Sequence, residues 1–347
     1  MKNFKDYIVK NEISIKSAIE RMNINSHKSI LFVVDEKNSL IGSLSDGDIR
    51  RGLLKGFTIK DSIAKIIRKN PKYIIEGSFD LLKIKTFRNN DLKIVPIVDQ
   101  NKKILSILNF NNRKSYLPID SVIMAGGRGK RLSPLTDKIP KSLLDIDGKP
   151  IIDYIVNHLT FSGIEEIWVS LNYMSDKITS HLKKSESANF KYLKESSPMG
   201  TIGSLSLINN FKHDTVLILN SDIICNIDFE LFFTDFLEQK ADIALLTIPY
   251  NVSIPYAILD TEENLIKSFK EKPTFNYQSN GGIYLLKKEV LKLIPRDTFF
   301  NATDLIEKAI ANNLRVISYP FSGYWLDIGR FEDYERAQKE IKQVKFK

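Results

Sequence analysis

The sequence predicts an α/β protein of two domains, and three observations predict it. The chain has 347 residues, which at ~150 residues per domain is about two domains. Over the C-terminal two thirds, short apolar runs alternate with amphipathic stretches, the pattern of βαβ units around a mostly parallel sheet. Within the N-terminal third, two segments repeat one another without a gap, which sets that part aside as a module of its own.

Leu31-Phe32-Val33-Val34-Asp35 runs on to Leu40-Ile41-Gly42-Ser43-Leu44-Ser45-Asp46-Gly47-Asp48, and Val95-Pro96-Ile97-Val98-Asp99 runs on to Ile104-Leu105-Ser106-Ile107-Leu108-Asn109. Each copy reads as strand, turn, strand. Amphipathic stretches at Ile15–Met22 and Leu81–Phe87 precede them at helical spacing. Asn111-Asn112-Arg113-Lys114-Ser115, ending near Pro118, reads as a polar linker, so the domains are expected at 1–117 and 118–347. Beyond it, strands are expected at Ser121–Met124, Glu166–Leu171, Thr215–Asn220 and Asp242–Ile248. Helices are expected at Ile151–Phe161, Ser175–Leu182 and Phe229–Leu237. Such a sheet places its sites at the carboxyl ends of strands.

Composition excludes several classes. Hydrophobic residues make up 43% and charged residues 27%, the balance of a globular protein and not of a disordered or collagen-like chain. No apolar run approaches the ~20 residues of a membrane span. The N-terminus leads into no apolar signal region, so neither a membrane partner nor secretion is expected. Cys225 is the single cysteine, which leaves no internal disulfide and no cysteine-based zinc cluster; the cytoplasm is the expected compartment. The net charge of +9 is uneven, with 23 basic and 12 acidic side chains in residues 1–117. These lysines are scattered rather than clustered, so a solvated basic surface is expected and no nucleic-acid partner.

The chemistry-bearing residues begin where the first buried run of the second domain enters Ala125-Gly126-Gly127-Arg128-Gly129-Lys130-Arg131-Leu132. Three glycines permit a tight turn and a close approach to a ligand, and consecutive free N–H groups there form an anion nest. Arg128, Lys130 and Arg131 add positive charge, and Lys141 follows ten residues after Arg131. The spacing is neither a P-loop nor a dinucleotide fingerprint.

Gly42-x-x-Ser45-x-x-Asp48, closing the first repeat, makes residues 1–112 resemble a cystathionine-β-synthase-type (CBS) pair. The resemblance implies a regulatory module, in which Ser45 and Asp48 hold the ribose of a nucleotide, or one that only dimerises or packs on the second domain; both stay open. Ser106, Asn109 and Asn112 stand at the matching positions of the second copy, which implies at most one such site.

The second domain resembles the sugar-1-phosphate nucleotidylyltransferases over roughly 119–345. The resemblance is carried by the glycine-rich loop, Pro140-Lys141-Ser142-Leu143-Leu144, Gly148-Lys149-Pro150-Ile151, Tyr192-x-x-Glu195-x-x-Pro198-Met199-Gly200-Thr201-Ile202-Gly203, Leu219-Asn220-Ser221-Asp222, Glu271-Lys272-Pro273, Asn280-Gly281-Gly282-Ile283-Tyr284 and Tyr324-Trp325-Leu326-Asp327. It implies a Rossmann-like domain with a mixed, mostly parallel sheet, and a reaction in which a sugar phosphate attacks the α-phosphorus of a nucleoside triphosphate and releases pyrophosphate. The nucleophile is already an anion, so cations and N–H dipoles, and no Ser, Cys or His base, are what the step needs.

The resemblance also implies residue roles. Arg131 would hold the triphosphate, Lys141 the α-phosphate, and Asp222 and Asp327 Mg2+. Ala125, Gly126, Gly127, Gly129, Lys130, Pro198, Gly200 and Thr201 would bind the nucleotide. Glu271, Lys272, Asn280 and Gly281 would bind the sugar phosphate. Ser221 stands where the family commonly has Gly. The domain pairing is most similar to bacterial guanylyltransferases that make GDP-hexoses for surface or flagellar glycans. GTP is therefore the expected donor, glucosamine 1-phosphate or mannose 1-phosphate the expected acceptor, and a homo-oligomer (dimer or tetramer) the expected assembly. Two alternatives stay open: the same reaction with UTP, CTP or dTTP, and a non-catalytic regulatory homologue.

Overall fold

A computed structural model describes residues 4–24, 30–185 and 188–346. The chain forms two compact units, Met1–Pro118 and Ile119–Lys347. The division falls one residue beyond the expected 117.

In the first unit, β1 (Ile8–Lys10), α1 (Ile15–Ile24), β2 (Ile30–Val34), β3 (Leu40–Ser45), α2 (Asp46–Leu54) and β4 (Arg68–Lys69) make the first half. β5 (Ile74–Ile75), α3 (Leu81–Asn89), β6 (Ile94–Val98) and β7 (Ile104–Asn109) make the second. The repeat persists at the level of register. Ile30 pairs with Ser45 and Leu31 with Leu44, while Ile94 pairs with Asn109 and Val95 with Leu108. Both hairpins break register at the same point, after Val33 and after Ile97. They pack together through Phe32, Val34 and Leu40 against Ile94, Val98 and Ile104. The copies differ after their last strand. β3 leads into α2, whereas Asn109 turns the chain by accepting a hydrogen bond from the Asn111 N–H at 3.0 Å.

The stretch expected to be a polar linker is only partly that. Asn111 and Asn112 are exposed, but Ser115 to Pro118 are buried. Tyr116 packs with Phe87 and Val95, and its hydroxyl accepts from the Gly77 N–H at 2.9 Å. An aromatic ring with a satisfied hydroxyl is a core residue, and it outweighs the polarity of its neighbours.

The second unit contains β8 (Ile119–Met124), β9 (Asp145–Ile146), β10 (Lys149–Pro150), α4 (Ile151–Phe161), β11 (Glu166–Leu171), α5 (Ser175–Leu182), β12 (Asn189–Lys194), β13 (Thr215–Asn220), β14 (Ile223–Cys225) and α6 (Phe229–Glu238). It continues with β15 (Ile243–Ser253), β16 (Ile258–Glu262), β17 (Leu265–Lys270), β18 (Thr274–Lys287), α7 (Ala302–Ala311), β19 (Val316–Pro320), β20 (Trp325–Asp327) and α8 (Phe331–Glu340). Its main sheet has seven strands in the order β12-β11-β8-β13-β18-β15-β19. All run parallel except β18, which is antiparallel to both neighbours. The fold is thus α/β with a mixed, mostly parallel sheet.

Helices on its faces explain why the strands read as continuous apolar runs. α4 buries Ile151, Ile152, Ile155, Val156 and Leu159. α6 is started by Asp228, whose carboxylate accepts from the Glu230 and Leu231 N–H groups. β15 runs to Ser253, beyond the expected Ile248, because β18 pairs with it that far. No helix of the described residues is long and apolar enough to cross a membrane.

Candidate active site

β8, β11 and β13 end on one edge of the sheet, and the segments leaving them line a cleft of about 660 Å³. Ala125, Gly126, Gly127, Arg128, Lys130, Lys141, Pro198, Gly200, Thr201 and Asp222 all line it. The loop after β8 is shaped by its glycines in different ways. Gly129 has φ +64°, and a Cβ there would stand 3.2 Å from Lys141 Cβ, so its bareness lets the Lys141 stem pass. Gly127 faces open space, with nothing within 4 Å of a built Cβ; this leaves room for a ligand against the backbone.

Two carboxylates meet the lysine. Lys141 Nζ contacts Asp222 Oδ2 and lies 4.0 Å from Asp327 Oδ1. Sequence distance is bridged by a short antiparallel ribbon in which Ile223 pairs with Asp327, and the Ile328 N–H donates to the Asp222 carbonyl at 3.0 Å. Asp222 Oδ1 and Asp327 Oδ1 are buried without a hydrogen-bond partner. Burial, and then the neighbouring Asp222 carboxylate, push the Asp327 pKa above the usual carboxylate range, with Lys141 and Arg131 opposing. Arg131 is positioned beside Gly329, where a built Cβ would approach its guanidinium to 3.5 Å.

These are two buried acceptor oxygens without a hydrogen-bond partner, a fit for a hard divalent cation whose other ligands come from water or phosphate. No group of three or more metal-ligating side chains occurs among the described residues.

The other candidates lie elsewhere. The Asn280 side chain is spent locally, donating to Tyr284 Oη at 2.8 Å and accepting from the Gly282 N–H at 2.9 Å. The Gly281 carbonyl accepts from Trp325 Nε1 at 2.9 Å. Glu271 and Lys272 are exposed and do not line the cleft.

In the first unit, Ser45 and Asp48 form a capping box on α2. Ser45 Oγ accepts from the Asp48 N–H at 3.2 Å, while Asp48 Oδ2 accepts from the Ser45 N–H at 2.9 Å and from its hydroxyl at 2.6 Å. A ribose would have to displace those bonds. A cavity of that unit, about 460 Å³, is lined instead by Phe4, Ile8, Lys10, Val34, Asn38 and Lys103.

Several cleft residues carried no role in the sequence. Asn172 and Tyr173 directly follow β11, so the rule of sites at strand ends could have found them. Tyr173 lies under Arg128, whose guanidinium carbon is 5.4 Å from the ring centre. Glu195 is buried and accepts from Ser170 Oγ at 2.7 Å. Phe299 offered no signal. Cys225 is buried, and burial pushes its thiol up to about 12, so it is no nucleophile.

A glycine-rich loop, a cluster of cations and two neighbouring carboxylates at the strand ends of an α/β sheet suit a domain that handles nucleotide phosphates. The chain belongs to the nucleotidyl transferase family, which it matches over residues 120–344; residues 4–55 match the CBS domain. It is 32% identical over 226 residues to a mannose-1-phosphate guanyltransferase of Schizosaccharomyces pombe, covering 62% of each chain. It is 28% identical over 230 residues to the D-glycero-α-D-manno-heptose 1-phosphate guanylyltransferase of Aneurinibacillus thermoaerophilus, covering 64% of this chain and 98% of that one. Among solved structures it is similar to HddC from Yersinia pseudotuberculosis, with a TM-score of 0.50 and 26% identity over 64% of this chain and 99% of that one. The chain thus spans under two thirds of the length of the yeast relative.

Proposed function

We propose that this chain transfers a guanylyl group from GTP to the phosphate of a sugar 1-phosphate, giving a GDP-sugar and pyrophosphate. The observation that carries the reading is the Lys141–Asp222–Asp327 cluster facing the glycine-rich loop across one cleft. The α-phosphate would sit on Lys141, with the β- and γ-phosphates along the loop N–H groups, Lys130 and Arg131. An oxygen of the sugar phosphate would attack opposite the departing pyrophosphate. Lys141 and Arg131 would offset the charge gathering on the transferred and leaving groups. Asp222 and Asp327 would hold Mg2+, which when bound supplies further charge neutralisation at the phosphates. The presence of both carboxylates favours catalysis over the reading as a non-catalytic regulatory homologue.

The names of the relatives support guanine as the base and a manno-configured sugar, mannose 1-phosphate ahead of glucosamine 1-phosphate. A GDP-hexose product would suit surface or flagellar glycan synthesis, the role that the family resemblance implies. The test is pyrophosphate release across GTP, UTP, CTP and dTTP, each paired with mannose, heptose, glucosamine and glucose 1-phosphates. GTP with mannose or heptose 1-phosphate should give the highest kcat/KM. A preference for another nucleoside triphosphate would overturn the base, and a preference for a gluco sugar would overturn the configuration.

A further inference from the structure

Tyr173 stands where two rigid elements meet. β11 ends at Leu171 and α5 begins at Ser175, with only Asn172, Tyr173 and Met174 between them. From this short connection Tyr173 reaches back to the glycine-rich loop. Its N–H donates to the Gly126 carbonyl at 3.4 Å, and its hydroxyl donates to the Thr136 carbonyl at 3.2 Å. Between those two ties its ring lies under Arg128, whose guanidinium carbon is 5.4 Å from the ring centre. The Thr136 hydroxyl closes the loop on itself by donating to the Gly129 carbonyl at 2.9 Å. In the first turn of α5, Lys177 Nζ donates to the Lys138 carbonyl at 2.5 Å. The span from Gly126 to Lys138 is thus held by the exit of β11 and the start of α5, and a side chain held by such elements is placed more exactly than one on a loose loop.

Arg128 is the cation that this arrangement presents. It lines the cleft and is exposed. The acids that line the cleft are engaged elsewhere, Asp222 with Lys141 and Glu195 with Ser170 Oγ. Arg128 makes no ion pair among the described residues. A guanidinium over an aromatic ring keeps N–H donors for a second partner, and a phosphate matches their fork with two parallel bonds. The ring also limits the freedom that an exposed arginine would otherwise lose on binding.

Arg128 and Arg131 flank the loop from opposite sides. Arg131 lies beside Gly329, toward Asp327, whereas Arg128 lies over Tyr173 at the end of β11. β8, which feeds the loop, runs between β11 and β13 in the sheet.

We propose that Arg128 binds the β- and γ-phosphates of the nucleoside triphosphate, joining Lys130 and Arg131, and that Tyr173 is the residue that positions it. The proposal rests on the guanylyl-transfer reading of the cleft given above, which sets the α-phosphate on Lys141. The β- and γ-phosphates are the anions that remain, and a guanidinium without a carboxylate partner suits them better than an uncharged base or ribose. Tyr173 touches no phosphate itself; its two ties to the loop keep the ring beneath Arg128.

Calorimetric titration of the full chain with GTP and with GMP, in Mg2+ and without sugar phosphate, tests the first half. GMP carries the α-phosphate and lacks the other two. Arg128→Ala should weaken GTP binding about tenfold, the scale of one charge-assisted phosphate contact, and leave GMP binding within a factor of about two. Equal weakening of both nucleotides, or of neither, would overturn the assignment to the terminal phosphates. A wild type that binds neither nucleotide would overturn the reading of the cleft, and the proposal with it, an outcome distinct from both.

The second half is tested by a double-mutant cycle on the same titration. Tyr173→Leu should weaken GTP binding about threefold, the scale of an exposed cation–π contact. Tyr173→Phe keeps the ring and should bind GTP as the wild type does. In an Arg128→Ala background, Tyr173→Leu should bring no further loss. The same loss in that background would show Tyr173 acting through the fold alone and would overturn its positioning role. A Tyr173→Phe chain as impaired as Tyr173→Leu would place the effect in the hydroxyl and overturn it equally.

Discussion

Gly200→Ala separates a backbone requirement from a ligand contact. Gly200 has φ +78°, and a Cβ built on it stands 2.6 Å from the Phe300 carbonyl oxygen and 2.9 Å from the carbonyl carbon. The obstacle is backbone, so it cannot rotate away. A side chain in the left-handed region costs about 1–2 kcal/mol. Relieving the clash strains the ladder that ties this segment to residues 300–302. Its bonds are Phe300 N–H to Met199 O at 3.0 Å, Ile202 N–H to Phe300 O at 3.1 Å, and Ala302 N–H to Thr201 Oγ1 at 2.8 Å. With one such bond weakened, worth about 1 kcal/mol, the total is about 2–3 kcal/mol, or roughly 4–12 °C in Tm for a unit of this size.

Met199, Thr201 and Phe299 line the cleft, so KM for GTP should rise at least tenfold while KM for the sugar phosphate stays within a factor of two. Calorimetric unfolding and two-substrate kinetics read both effects. Gly127→Ala is the contrast: its Cβ meets nothing within 4 Å, so stability should hold while GTP affinity falls. A Gly200→Ala protein with an unchanged Tm and an unchanged KM for GTP would refute the reasoning.

Three further outcomes are expected. Asp222→Asn should lower turnover by at least two orders of magnitude and abolish the heat of Mg2+ binding in calorimetry, because a neutral amide is a far weaker ligand for a hard cation; retained Mg2+ heat would remove Asp222 from the metal site. Lys141→Ala should act mainly on kcat, and Lys272→Ala mainly on KM for the sugar phosphate, a split that steady-state kinetics reads directly. Asp120 is fully buried, with one oxygen accepting from the His213 N–H and the other unpartnered, and burial pushes its carboxyl up to about 6. Its folded pKa exceeds the unfolded one, so its contribution to stability falls as pH rises from about 4 to 6. Asp120→Asn should remove that slope and add about 2–3 kcal/mol at pH 7; denaturant melts at pH 4 and 7 that match the wild type would show the carboxyl to be unperturbed.

Local pattern carried much of the fold. The run Thr215–Asn220 and the amphipathic stretch Ile151–Phe161 are a strand and a helix with those same bounds. Buried strands and one-faced helices leave an unambiguous period. The repeat offset also appears unchanged in the hairpin registers.

What was not legible depended on long-range pairing. Nothing near Asp222 announces that Asp327 lies across a ribbon from it; only the family resemblance joined them. Ser45 and Asp48 illustrate the opposite difficulty, since the spacing associated with ribose binding is also that of a helix capping box. Glu271 and Lys272 sit in a motif that reads as part of a site, yet the strands on either side, β17 and β18, leave both residues exposed and outside the lining of the cleft. Pairing length, which set that position, has no signature in residue type alone.

The central claim is that one cleft joins a nucleotide to a sugar phosphate. Its most direct test is the mass of the product, measured alongside pyrophosphate, when the wild-type protein is given Mg2+, GTP and mannose 1-phosphate together and each substrate alone. A GDP-sugar and pyrophosphate should form in equal amounts, only when both substrates are present, and neither with Asp222→Asn. Pyrophosphate released without the sugar phosphate, or the absence of a nucleotide sugar with every base and sugar offered, would contradict it.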